Sequence, residues 1–148
     1  MSEQTIAIAL RTLLQSMSNF ADADVTICDW SVLDGSSTAA PYAIIDVADS
    51  FETQFQVSVE EARWDIPVEI YEAFSDWDTT RAAFRNTRQA VIDQLADSPG
   101  ATIGLACRAV RSESPVAPVY PAYLSDNERA EALPVFLMQR IIVVCEEF

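Results

Sequence analysis

Hydrophobic residues between positions 4 and 20 recur with a helical period. Ile6, Leu10, Leu13, Leu14 and Met17 fall at i, i+4, i+7, i+8 and i+11, one face of an amphipathic helix. Phe20 and Ala21 end that pattern, and Asp22 and Asp24 open a turn. The period then shortens. VTICDW (25–30) alternates as a short strand, and SVLDGSSTAAP (31–41) is a small, polar loop. YAIIDVADSF (42–51) is a strand apolar enough for the middle of a sheet, with Tyr42, Ile44 and Asp46 on one side and Ala43, Ile45 and Val47 on the other.

ETQFQVSVEEA (52–62) is more polar and reads as the continuation or tip of a hairpin. RWDIPVEIYEAF (63–74) has the clearest period of two. Trp64, Ile66, Val68 and Ile70 face the core, and Arg63, Asp65, Pro67, Glu69 and Tyr71 face the other way. Pro67 has no N–H, which predicts an edge strand or a local bulge there. Residues 75–100 return to the helical period. Ser75 or Asp76 caps this helix, Trp77, Phe84, Val91 and Leu95 form its buried stripe, and Ser98-Pro99-Gly100 stops it. ATIGLACRAVRSE (101–113) is a strand. PVFLMQRIIVVCEEF (134–148) is a second one, apolar on both faces through Val144 and so expected inside the sheet.

Helix, three strands, helix and two further strands predict an α+β fold: a single layer of mainly antiparallel, mixed β-sheet with two main helices packed against it. A length of 148 residues fits a single domain, 1–148, with long loops at 31–41, 52–62 and 112–134. The last loop holds four of the seven prolines. Its middle, 125–133, has the character of one or two helical turns. Connections of that length are usually functional or disordered.

Charge narrows the partners. Nine basic residues, all arginine, stand against 23 acidic ones, for a net charge of −14. Tight sequence-independent DNA binding needs several cations on one face, which this chain is poorly equipped to supply. The N-terminus lacks a basic leading region and a cleavage site, and no apolar run approaches the ~20 residues of a membrane span. A cytoplasmic protein with no membrane partner is expected. Cys28, Cys107 and Cys145 form no CxxC pair and read as buried free thiols.

The missing residue types exclude much chemistry. Without histidine there is no Ser-His-Asp or Cys-His constellation and no His-containing zinc site. Without lysine there is no Schiff base and no P-loop lysine. The acid pairs Asp76/Asp78 and Glu60/Glu61 read as solvated positions at a helix start and a hairpin tip. Neither a conventional enzyme nor a cofactor is expected. One constellation stands out. Arg81, Arg85 and Arg88 follow i, i+4, i+7 beside the apolar stripe of the second helix. They form either salt bridges to Asp78 and to acids of the adjacent sheet, or a docking strip for an acidic partner such as a neighbouring copy of the chain. Trp64 and Trp77 read as core. Trp30, at a strand end before a flexible loop, is a candidate contact residue.

The order of a leading helix, a short strand ending in DW, PYAIIDVADSFE, WDIPVEIYEAF, DWDTTRAAFRNTRQAVIDQL and a final apolar strand resembles the tail terminator (tail completion) proteins of long-tailed bacteriophages and related tail-like particles. The likeness spans nearly the whole chain and lies in element order, size and strand character, without a strict motif. It implies a non-enzymatic virion protein of the tail or neck, assembled in the host cytoplasm. Such a protein is a homo-hexameric ring that caps the tail tube protein, stops its polymerisation and presents a surface to the head–tail connector or adaptor proteins. DNA passes through the lumen without specific binding. In that setting the proline-rich loop 112–134 becomes a contact arm, with Tyr120 and Tyr123 as its anchors. Each subunit brings a net charge of −14, so a ring must direct acidic faces away from its joints or oppose them with arginines. A head–tail joining adaptor of the neck and a small cytoplasmic binding or chaperone-like module remain alternatives.

Overall fold

The segment with the clearest alternation forms half of the longest pairing. Strand β4 (Ala62–Ala73) runs antiparallel to strand β7 (Phe136–Glu147) over all twelve residues, from Ala62 opposite Glu147 to Ala73 opposite Phe136. The computed structural model describes residues 3–34, 41–47, 56–57, 62–97, 105–112, 114–121, 123–129 and 131–147. Around this central pair the strand order is β1-β2-β4-β7-β5. β1 (Val25–Ile27) is parallel to β2 (Tyr42–Ile45), and the other pairings are antiparallel. The short β3 (Gln56–Val57) pairs with the start of β4. On the far side of β7, β5 (Leu105–Ser112) and β6 (Ala117–Val119) lie end to end, so two segments make one interrupted edge strand. The architecture is α+β, a mixed and mainly antiparallel sheet with helices α1 (Glu3–Gln15) and α2 (Trp77–Asp97) on one face.

The two periods interlock at that face. Ile66, Val68 and Ile70 of β4 and Leu137, Ile141 and Val143 of β7 meet Ile6, Leu10 and Leu14 of α1 and Phe84, Val91 and Leu95 of α2. All are buried, and each such side chain contributes about 1.5–3 kcal/mol relative to exposure. The opposite face is covered as well. Tyr42, Ile44, Tyr71 and Phe136 pack there under Val32, Leu33 and Val119. The Phe136 ring meets Tyr42 and Tyr71 edge to face at 5.8 and 5.9 Å. A strand with apolar partners on both sides must itself be apolar on both sides, as β7 is.

Several expectations need correction. Pro67 lies in β4, the middle strand of the order, and not at an edge, and the β4–β7 register continues through it opposite Ile142. The Pro67 carbonyl accepts a hydrogen bond from the Asp46 N–H, at 2.9 Å. Its ring nitrogen points to that same side, so the reciprocal bond to Asp46 cannot form and the β2–β4 ladder ends at Ile45 opposite Val68, while the β7 side of the strand loses nothing. The first strand stops at Ile27, because Cys28 adopts a left-handed backbone (φ 52°) and turns the chain out of the sheet. Cys28 is exposed, not a buried thiol. Trp77 is 39% exposed and does not join the buried stripe of α2, which runs Thr80, Phe84, Thr87, Val91, Leu95.

The long segment 112–134 has more structure than its prolines suggest. It contains β6 and a single helical turn, α3 (Asp126–Arg129). Loop 31–41 begins with a 3-10 turn at Ser31–Asp34, and loop 52–62 contributes β3 and the first residue of β4. The predicted stop at 98–100 lies outside the described residues. At the start of α2, the Asp76 carboxylate accepts the Thr79 N–H at 2.8 Å, the cap expected there. That bond holds the Asp76 pKa below its ordinary value. Among the described residues no helix is long and apolar enough to cross a membrane.

Candidate functional site

The packing of α2 on the sheet leaves a groove between the helix and the β6 edge. Trp77, Arg81, Phe84, Arg85 and Arg88 line it from the helix, and Val116, Pro118 and Leu137 line it from the sheet side. Its volume is about 230 Å³. The helical period explains the layout. Phe84 belongs to the buried stripe and forms floor, while the arginines sit one step around the helix and form rim. Leu137 projects from β7 on the helix-covered face, and Pro118 is its register partner on β6.

Two of the arginines are held in place. The Arg81 guanidinium lies 5.3 Å from the centre of the Trp77 ring, a cation–π contact. Trp77 in turn meets Phe74 edge to face at 5.0 Å. Arg88 donates from Nη1 to Gln139 Oε1 at 2.9 Å, and the buried Gln139 donates from Nε2 to the Ser114 carbonyl at 3.0 Å. One buried amide thus ties the helix, the central strand and the turn before β6 together. Arg85 is exposed and has no polar partner among the described residues.

No lining residue is acidic. Among the described residues none of the three arginines forms an ion pair, so the salt bridges to Asp78 and to the sheet weighed from the sequence are not formed there. A third of the chain's nine arginines therefore keep their charge uncompensated beside an apolar floor. Guanidinium groups stay ionised at any working pH and match carboxylates in forked geometry. The arrangement suits an occupant that brings both an apolar side chain and carboxylates.

The other candidate residues lie elsewhere. Tyr123 is 84% exposed on the β6–β7 connection, and Tyr120 is half-buried at its start. Trp30 belongs to a polar cluster on the opposite face of the sheet. Its Nε1–H donates to Glu69 Oε1 at 2.7 Å, and the Tyr71 hydroxyl donates to the same oxygen at 2.8 Å. Arg140 bridges Glu69 at 3.3 Å and Asp46 at 2.7 Å. Burial, and then the adjoining Glu69 carboxylate, push the Tyr71 pKa well up, so this hydroxyl stays protonated and keeps donating. The cluster uses its polar atoms on one another, which is a structural role. Among the described residues no group of three metal-binding side chains converges.

Sequence reasoning missed Trp77, Gln139, Val116 and Pro118 as parts of the groove. For Trp77 a signal existed: an aromatic residue four positions before an arginine on an exposed helix face. For the others nothing local pointed there, because α2 meets β6 only through the tertiary fold. Compared with protein-family models and with curated proteins, the sequence matches none.

Proposed function

We propose that this chain is a structural assembly protein that works by docking onto copies of itself and onto other acidic proteins, as the tail terminator of a phage tail or tail-like particle does in forming a ring on the tail tube. The observation that carries the reading is the groove. A chain of net charge −14 keeps three arginines along one apolar cleft, without ion pairs among the described residues. Within a single subunit that arrangement serves no purpose that the 23 acids could not serve better by pairing with them. Against an acidic neighbour it supplies local attraction on a surface that otherwise repels. The mainly antiparallel sheet with two helices on one face is compatible with the resemblance in element order. The groove's size also bears on the reading. At about 230 Å³ it is below the ~300–1,000 Å³ of most small-molecule sites, which favours an anchoring side chain over a cofactor.

Native mass spectrometry from ammonium acetate at about 0.05 and 0.5 M, a range over which the screening length falls about threefold, tests this. A sixfold oligomer is the expected species. A monomer at every concentration and salt would sink the reading.

A further inference from the structure

The same chain that carries a basic, apolar-floored groove carries a feature of opposite character. The β6–β7 connection projects Tyr123, 84% exposed, and Leu133, 68% exposed, the two most exposed large apolar side chains among the described residues. Asp126, Glu128 and Glu131 lie between them in the sequence and are all exposed. The one cation of this tip, Arg129, is already engaged by Asp126 at 3.8 Å, so Glu128 and Glu131 leave it net negative. None of the described residues of the tip lines the groove of its own copy.

We infer that the β6–β7 tip of one copy docks in the α2–β6 groove of the next, with Tyr123 or Leu133 on the Phe84–Leu137 floor and Glu128 and Glu131 against Arg81 and Arg85. The inference rests on the self-assembly reading above and names its joint. Charge complementarity selects the occupant: knob and groove are both apolar at the centre, and their rims carry opposite charges. Tyrosine suits the knob, since it offers a large amphipathic contact with few rotatable bonds to immobilise. The groove wall is prepared for it, because the Gln139 bridge fixes Arg88 and the Trp77 ring supports Arg81 before any partner arrives. A knob and a groove on different parts of one surface make a heterologous contact, which closes into a ring when the rotation between copies divides a full turn and otherwise extends as a filament.

Such a joint has a behaviour that a symmetric one lacks, and a mixing experiment reads it. A groove variant, Arg81→Glu with Arg85→Glu, keeps an intact tip; a tip variant, Tyr123→Asp with Leu133→Asp, keeps an intact groove, and its acidic tip still opposes the reversed groove. All four positions are exposed, and circular dichroism checks that both variants fold. Each variant alone is expected to need at least about tenfold more protein for half-assembly than the wild type, since like charges meet across the joint in the first and a carboxylate meets the apolar floor in the second. Mixed together, the two are expected to form a one-to-one heterodimer and nothing larger, because only one of the two joints is intact. Tyr123→Ala, which leaves every charge in place, is expected to weaken assembly in the same direction. Variants that assemble like the wild type overturn the inference while leaving self-assembly standing, and assign the groove to a foreign acidic protein. Variants that are monomeric alone and give no heterodimer when mixed also overturn it. A monomeric wild type overturns both the inference and the reading beneath it.

Discussion

On the outer face of the sheet, Arg140 reaches two carboxylates, Asp46 at 2.7 Å and Glu69 at 3.3 Å. In the groove on the helix-covered side, Arg81 and Arg85 reach none among the described residues. The residue type is the same and acids outnumber arginines 23 to nine, so scarcity of carboxylates does not explain the difference. Position does. Glu69 is 9% exposed, and a carboxylate so placed requires a cation and donors to replace water. No acid lines the groove, and Arg81 and Arg85 are exposed to solvent. The outer cluster is therefore coupled to the stability of the fold, and the groove is coupled to whatever meets its surface.

Substitutions separate the two, and the largest effect belongs to the outer cluster. Glu69→Ala leaves the Trp30 indole and the Tyr71 hydroxyl without their acceptor and takes one of its two carboxylates from Arg140. We expect a loss of about 3 kcal/mol in urea unfolding, toward the low end for a broken buried pair because Arg140 is partly exposed. A loss under 1 kcal/mol would break the comparison. Trp30→Phe removes one donor and spares the ion pairs, and about 1–2 kcal/mol is expected in the same assay.

A smaller effect appears beneath α2. Thr87 donates to Glu72 Oε2 at 3.0 Å, but burial holds the Glu72 pKa above its ordinary value. A raised carboxyl pKa penalises the folded state as pH rises from the unfolded value through the folded one. Glu72→Gln should therefore unfold at higher urea than the wild type at pH 7, and the gap should close below about pH 4, where both side chains are neutral. A gap of the opposite sign at pH 7 would show that this carboxylate is net stabilising. Smallest is Arg85→Ala, expected within about 0.5 kcal/mol of wild-type stability. A larger loss would mean that the groove contributes to folding after all.

The sequence carried the frame of the fold better than its contacts. Alternation in 63–74 and the two-sided apolar run in 134–148 located the central strands to within about two residues, because both are periodic over ten residues or more. Pro67 misled because a missing N–H matters only on the side to which it points: it ends the ladder with β2 and leaves the ladder with β7 whole, and which neighbour lies on which side is a tertiary fact. Trp77 misled in the same way. Its place at the first turn of α2 put it beyond the sheet that buries Phe84. The arginine row was legible as a row, and its lack of ion pairs among the described residues was not, since that depends on which acids the fold brings near.

The placement of β7 also governs when this protein becomes a protein at all. This strand, which stands between β4 and β5 and pairs with both, is the last of the seven to be made. During synthesis β4 is complete some 60 residues before β7 begins, about 3–12 s at ordinary elongation rates. Through that interval one long edge of β4 has no partner and Ile66, Val68 and Ile70 lack half of their covering. Completion of the sheet thus waits until β7 has been made, and any nascent chain cut short before residue 136 leaves a sticky remnant for chaperones and proteases.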